Sequence, residues 1–294
     1  MKRFSYACNR SCGAQTLRLS EALARYRLPL LCTLLLAGGL YSSVFASLAT
    51  EWYRDPNYSH GFLVPLVSGY VLYRKTGALR DAPVLPDNRG ILLVLAALLL
   101  FTAASLGAED FTLRVSFVIV LAGLVLTFFG AGVLRSIAFP LTYLLFMVPL
   151  PYLLYDTVAF PLKLLVAKYS VLFLKAVGLV VWREGNVIMF PEIVLEVADA
   201  CSGIRSLVSL FALGAAFAYF TQSSVLKRAA VIASALPIAL FANALRVVAT
   251  GVLAHYWGAR AAEGFFHEFA GLAVFGLAVV LMVLTGALVG RIGR

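Results

Sequence analysis

Long apolar runs separated by short polar segments dominate the chain. Eight of them read as membrane-embedded helices, because most approach the roughly 20 residues that span a bilayer. They cover residues 28–49, 62–73, 90–108, 111–133, 136–155, 204–220, 229–256 and 269–289. At about 1.5 Å per residue, a helix over 62–73 is short for a membrane span, and we expect it to tilt or to pack inside the bundle. The pattern predicts an all-α polytopic membrane protein with about eight transmembrane helices.

One further apolar segment, 157–182, carries three lysines at helical spacing: Lys163, Lys168 and Lys175. We expect a helix that lies in the membrane interface or inserts part-way, with the lysine side chains reaching the head groups. A true membrane span is the alternative.

The segment 186–197 differs from the others, since its apolar residues are mostly β-branched and Pro191 interrupts them. Proline forbids an ordinary helix, and β-branched residues favour strands. We therefore expect a short extended segment before the polar stretch Asp-Ala-Cys-Ser-Gly-Ile-Arg that begins at Asp199.

Composition supports a membrane protein. Hydrophobic residues make up 62% of the 294 residues and charged residues 13%, and mean hydropathy is +0.94. Soluble domains carry about a quarter charged residues. A net charge of +10 is compatible with binding to a nucleic acid. However, the basic residues fall in short loops between apolar runs, which membrane topology explains better. We expect a basic cytoplasmic tail at 1–27, with no nucleic-acid partner, and one integral domain at 28–294.

The charges also predict orientation. The amino terminus, the 74–89 loop, Arg135, the 227–228 loop and the carboxyl terminus hold fifteen basic and three acidic residues, against nine and eleven elsewhere. By the positive-inside rule both termini are cytoplasmic. Residue 201 then faces the external, periplasmic side.

Cys201 is the candidate nucleophile. It falls between the extended segment and an apolar helix, and a helix N-terminus favours the reactive thiolate. Most cysteines are inert, buried hydrophobes. The polar neighbours Asp199, Ser202, Gly203 and Arg205 suit a site-lining position better than a lipid-facing one.

This topology makes four other polar residues candidates for a functional site: Arg246, Asn243, His267 and His60. Arg246 falls inside a span with Asn243 three positions earlier, on one helical face. An intramembrane charge is a functional candidate, although a structural ion pair with Asp199, Glu196 or Glu263 is the alternative. His267 begins the last span at similar external depth, whereas His60 falls in an external loop and has at most a supporting role. A thiol, an imidazole and a guanidinium together suit acyl transfer.

These motifs resemble the exosortase/archaeosortase family. The likeness rests on Ala-Asp-Ala-Cys-Ser-Gly-Ile-Arg-Ser-Leu from Ala198, Asn-Ala-Leu-Arg-Val from Asn243 and His-Glu-Phe-Ala-Gly from His267. The stretch Tyr-Ser-His-Gly-Phe-Leu-Val-Pro from Tyr58 adds to it. The residues through Ala49 are not covered.

The resemblance implies a membrane-embedded cysteine transpeptidase or thiol protease in the plasma (inner) membrane of a prokaryote. Its partners would be membrane-anchored proteins with a carboxyl-terminal sorting signal: a short Pro-Glu-Pro-like motif, an apolar helix and a basic tail. Carried over, Cys201 would be the nucleophile, Arg246 the transition-state or substrate-binding cation, and His267 the acid/base.

Two other functions stay open. Arg246 would bind an anionic solute in a transporter or channel, although few other charges fall within spans. A glutamate- or metal-dependent intramembrane protease is disfavoured by the absence of paired carboxylates in spans. His267-Glu268 lacks a second histidine four positions on, and the Cys8 and Cys12 pair is a weak metal signal, so we expect neither metal nor cofactor.

Overall fold

The computed structural model describes residues 17–191, 194–196, 204–258 and 265–292. Ten α-helices occur in these residues. They are α1 (Leu19–Leu40), α2 (Ser42–Arg54), α3 (Leu63–Arg80), α4 (Arg89–Leu106), α5 (Asp110–Ser136), α6 (Ala138–Tyr143), α7 (Tyr152–Ala176), α8 (Ile204–Thr221), α9 (Val225–Trp257) and α10 (Phe265–Arg291). Two 3₁₀ turns, Ser59–Phe62 and Leu144–Met147, lie between them.

Short strands form two small antiparallel sheets. Strands β1 (Leu17–Arg18) and β2 (Pro83–Val84) pair with each other. Strands β3 (Trp182–Glu184), β4 (Val187–Met189) and β5 (Val194–Glu196) form a three-stranded sheet in chain order, with Ile188 opposite Arg183 and Leu195. The expected extended segment is therefore confirmed, although the pairing with β3 was not predicted.

Six helices in the described residues are long and apolar enough to cross a membrane. They are α1, α4, α5, α7, α9 and the part of α10 from Ala270. Leucines on several of them face outward, for example Leu36, Leu99 and Leu272. Since soluble proteins rarely expose such apolar surface, these faces suit lipid. The helical, polytopic membrane architecture is confirmed.

The membrane segments differ in detail from the expected eight. Helix α7 runs unbroken through 25 residues, so the structure favours the alternative of a span over an interfacial helix. The expected span at 136–155 is instead the short helix α6 with a 3₁₀ turn. Helices α3 and α8 are not among the six, although residues 207–221 form a shorter apolar helix.

The chain forms two compact units. The first comprises the described part of Met1–Ser43 with Gly69–Thr142, and its centre is the α4–α5 hairpin. Gly90 and Gly123 let these helices touch, since a β-carbon on Gly123 would lie 2.6 Å from the Val94 side chain. Glu109 caps α5 by accepting from Phe111 N and Thr112 N. A hydrogen bond with the Thr112 side chain, together with these two backbone bonds, lowers the pKa of its carboxyl.

Tyr41 breaks the first apolar run. Its side chain is fully buried within the first unit, and its hydroxyl is 2.7 Å from the Ser116 hydroxyl. The run expected to span 28–49 therefore divides into α1 and α2.

The second unit comprises Val44–Ser68 with Tyr143–Arg294. One core cluster joins α7, the three-stranded sheet and α9 through residues such as Leu174, Ile188, Phe190 and Val247. Another joins α8, α9 and α10. Helices α9 and α10 of this cluster carry Arg246 and His267. The assignment of 28–294 to one integral domain stays a prediction.

Candidate active site

Three tightly packed helices carry the described candidate residues other than His60. Helix α9 packs on both α8 and α10, and the shared core is rich in alanine and other compact side chains. Small residues allow membrane helices to approach closely where lipid supplies no hydrophobic drive. Members of this core include Leu210, Val231, Ala235, Ala239, Ala278 and Met282.

Arg246 lies on α9 in this packed region and faces α10. Asn243, one turn earlier, is only 5% exposed, and Nε of Arg246 is buried. A charged group held inside a helix bundle is costly and marks a functional position by default. The shared helical face predicted for Asn243 and Arg246 is confirmed, since both line one cavity.

Gly271 of α10 lies directly against the Arg246 guanidinium. A β-carbon at this position would be 3.4 Å from both Cζ and Nη2 of Arg246. The cavity that these two residues share with Asn243 has a volume of only about 10 Å³. Among the described side chains, the guanidinium is therefore closely packed, and Gly271 leaves just enough room for it at van der Waals distance.

His267 is the third residue of α10, four positions before Gly271. Residues four apart lie on the same face of a helix, one turn from each other. The backbone of α10 thus places position 267 one turn from the residue that the Arg246 guanidinium contacts. The structure describes the backbone of His267, and its side chain lies outside the described part.

Cys201, Asp199, Ser202 and Gly203 lie outside the described residues, and Arg205 is described only in its backbone, as the second residue of α8. Strand β5 ends at Glu196 and α8 begins at Ile204. A strand thus precedes the Cys201 segment and a helix follows it, in the predicted order. The roles of these residues stay predictions.

His60 links three parts of the second unit. It lies in the 3₁₀ turn Ser59–Phe62, and its Nε2 is 3.2 Å from the Phe146 carbonyl oxygen. Its Nδ1 is 3.3 Å from the Ser209 hydroxyl on α8. His60 therefore fixes this turn and the Leu144–Met147 turn to the helix that begins just after Cys201.

The contacts of His60 select one neutral form of its ring. A carbonyl oxygen can only accept, so Nε2 carries the hydrogen and the Ser209 hydroxyl donates to Nδ1. Burial lowers the pKa of His60, an effect opposed by the carbonyls of Phe146 and Asn57. A neutral, doubly hydrogen-bonded imidazole holds elements in place rather than transferring protons.

Trp52 contacts the same turn, and the sequence had not indicated a role for it. Its indole Nε1 donates to the Met147 carbonyl oxygen at 2.9 Å, and its ring lies against Gly61 so closely that a β-carbon there would overlap it. Trp52 also meets Phe62 edge to face, with ring centroids 5.1 Å apart. The aromatic polar loop was visible in the sequence, but the partners of Trp52 are distant in the chain.

Comparison with known proteins identifies one family. The family model described as Transmembrane exosortase (Exosortase_EpsH) matches residues 52–284 of the chain. The match covers Trp52, His60, the Cys201 segment, Arg246 and His267. No curated protein and no solved structure matches the chain significantly.

Proposed function

The chain belongs to the transmembrane exosortase family, whose members are membrane-embedded sorting proteases or transpeptidases, and we propose that it is a cysteine enzyme with Cys201 as nucleophile. In this proposal Arg246 is the stabilising cation and His267 the general acid/base. The substrates are exported proteins that a carboxyl-terminal sorting signal holds in the membrane.

One observation carries the proposal: the Arg246 guanidinium lies against Gly271, one helical turn from position 267. A guanidinium held in a fixed position provides a positive group that need not reorganise during the reaction. Helix α8 begins three residues after Cys201 and packs on α9, so the first described residues after the thiol belong to the same three-helix core as Arg246.

The reaction proceeds in two balanced steps. The Cys201 thiolate forms a bond to the scissile carbonyl carbon, and Arg246 stabilises the negative oxygen that develops. The carbon–nitrogen bond then breaks, and His267 delivers its proton to the leaving amine. A second nucleophile, water or an amine, attacks the thioester, gives up a proton to His267 and restores the thiolate.

Substrate recognition follows from membrane geometry. A substrate with its own apolar helix and a basic tail on the cytoplasmic side holds the residues before that helix at the external surface. In this proposal the reacting groups lie at that surface, with both termini of the enzyme in the cytoplasm. A short Pro-Glu-Pro-like motif before the helix is then the recognised sequence.

The anion-transport alternative has less support. The cavity at Arg246 and Gly271 holds about 10 Å³, roughly the room needed for one water molecule. Such a small space among the described residues suits a cation that is held in place better than one that passes a solute along a path.

A processing assay tests the proposal. A tagged membrane protein ending in a candidate sorting signal is expressed with the wild-type chain or with Cys201→Ala. We expect precursor to accumulate with Cys201→Ala and product to form with Cys32→Ala, since Cys32 is an exposed cysteine on α1. Product formation by a correctly inserted Cys201→Ala protein refutes the assignment.

A further inference from the structure

A second polar feature lies at the other end of the three-helix core. A cavity of about 490 Å³ opens between the end of α8, the start of α9 and the last turns of α10. Lys227, which lines it, is nineteen residues before Arg246 on α9. At 1.5 Å per residue this separation is about 29 Å, close to the thickness of the hydrocarbon core. The cavity and Arg246 therefore lie toward opposite ends of α9.

The lining of this cavity is amphipathic. Ser223, Lys227 and Arg291 lie at its polar end, near the helix termini, whereas Phe217 and Ala287 lie one or more turns further into the helices. Lys227 is half-buried and Arg291 is exposed. A molecule that fills the cavity therefore meets cations at the surface and hydrocarbon below.

The basic residues at this end have no acidic residue near them on the same helices. Neither 204–262 nor 269–294 contains an aspartate or a glutamate. Arg228 adds a third cation at the start of α9, where its Nε donates to the Gln222 carbonyl oxygen and its guanidinium lies over the Tyr219 ring. The cluster thus offers a local positive potential to an anion.

Gln222 adds a specific feature to the cavity wall. Its side chain is 5% exposed, and its Nε2 donates to the Gly286 carbonyl oxygen at 2.9 Å, which joins α8 to α10. Its Oε1 is buried and accepts no hydrogen bond from the described residues. A ligand with hydroxyl groups beside its negative charge would supply the missing donor.

We propose that this cavity binds an anionic phospholipid, with the phosphate at Lys227 and Arg291, headgroup hydroxyls toward Gln222 and an acyl chain along Phe217 and Ala287. Basic pockets between membrane helices recognise such headgroups. The apolar floor favours a lipid over a free phosphate ion. The occupant would hold α8, α9 and α10 together at the end of the core opposite Arg246.

Lipid retention by charge variants provides the first test. Purified protein is mixed with phosphatidylglycerol or phosphatidylcholine, and bound lipid is measured by native mass spectrometry. We expect selective retention of phosphatidylglycerol and an about 30-fold loss of affinity in Lys227→Gln/Arg291→Gln, since each basic residue contributes a factor of about five. Arg74→Gln/Arg80→Gln removes the same charge from exposed positions on α3 and should retain the lipid. Equal loss in both double variants, or no loss in either, overturns the proposal.

A filled cavity provides the second test. Ala287→Trp occupies the apolar floor without changing charge and should abolish phosphatidylglycerol retention. Leu288→Trp adds the same bulk at the neighbouring position, which is 62% exposed and does not line the cavity, and should have no effect. Inorganic phosphate should not reproduce the rise in thermal midpoint that phosphatidylglycerol gives. Retention by Ala287→Trp, or an equal rise with phosphate alone, excludes the lipid.

Discussion

The guanidinium of Arg246 packs on Gly271, where a β-carbon would already be in van der Waals contact with it at 3.4 Å, so a larger side chain has no room on this side. The two residues belong to different helices, so the contact fixes α9 against the first turns of α10. It also places the guanidinium one turn from position 267. The consequences of this contact, and of the His60 and Trp52 contacts, are testable.

A larger residue at 271 should displace the guanidinium. We expect Gly271→Leu to lower processing by about 100-fold, because a shift of about 1 Å in a positioned group has effects of that size. Gly276→Leu is the matched control on the same helix, since a β-carbon there meets no atom within 4 Å. Equal processing by both variants in membranes with equal protein would show that the contact does not position Arg246.

The identity of the cation at 246 should matter as well as its charge. Arg246→Ala should lower the rate of processing by about 10²- to 10³-fold, the usual effect of removing one oxyanion donor. Arg246→Lys retains the charge but loses the planar fork of donors, so we expect little recovery. Processing rates at saturating substrate measure both effects. Full activity in the lysine variant would reduce the role of Arg246 to electrostatics.

His60 should make stability dependent on pH. Burial lowers the pKa of His60 below its ordinary 6.5, so on acidification the unfolded chain takes up the proton before the folded protein does. The stability contributed by the neutral ring is complete above about pH 6.5 and is lost as the pH falls below it. His60→Gln should remove this part of the pH dependence.

Thermal midpoints between pH 7.5 and 5 measure the effect of His60. His255→Gln is the control, because it also removes one histidine, at an exposed position near the end of α9. Identical pH profiles for wild type and His60→Gln would contradict the lowering of the His60 pKa by burial.

A methyl group at Gly61 should be destabilising. It would overlap the Trp52 ring, and relief of such a contact typically costs about 1–3 kcal/mol. Gly69→Ala, on α3, meets no atom within 4 Å and should stabilise by about 0.5–1 kcal/mol, since alanine favours helix over glycine. Chemical unfolding in detergent should therefore show opposite signs. A stabilising Gly61→Ala would mean that the Trp52 contact is easily rearranged.

Local patterns in the sequence predicted the elements on either side of Cys201. The β-branched residues and Pro191 indicated the extended segment that contains β4 and β5, and apolar periodicity indicated the helices. The three lysines of 157–182 led to the expectation of an interfacial helix, whereas α7 continues through them as one apolar helix. Long lysine side chains place their charges far from the helix axis, so their presence does not exclude a span.

Local sequence patterns carry no information about contacts between residues that are far apart in the chain. His60 and Ser209 are 149 positions apart, and the sequence gives no sign that a hydroxyl on α8 meets this imidazole. Tyr41, at which the first apolar run divides, likewise makes its hydrogen bond to Ser116, 75 residues away. That Asn243 and Arg246 share one helical face was predictable, because residues three positions apart on a helix lie on the same side.

The central claim is that Cys201 is the nucleophile, and a single-thiol protein tests it most directly. Cys8→Ala/Cys12→Ala/Cys32→Ala leaves Cys201 as the only one of the four cysteines. We expect this variant to process a tagged, membrane-anchored substrate normally, and a membrane-impermeant maleimide on intact cells to stop processing in step with alkylation of Cys201 by mass spectrometry. Processing that continues after complete alkylation would contradict the account.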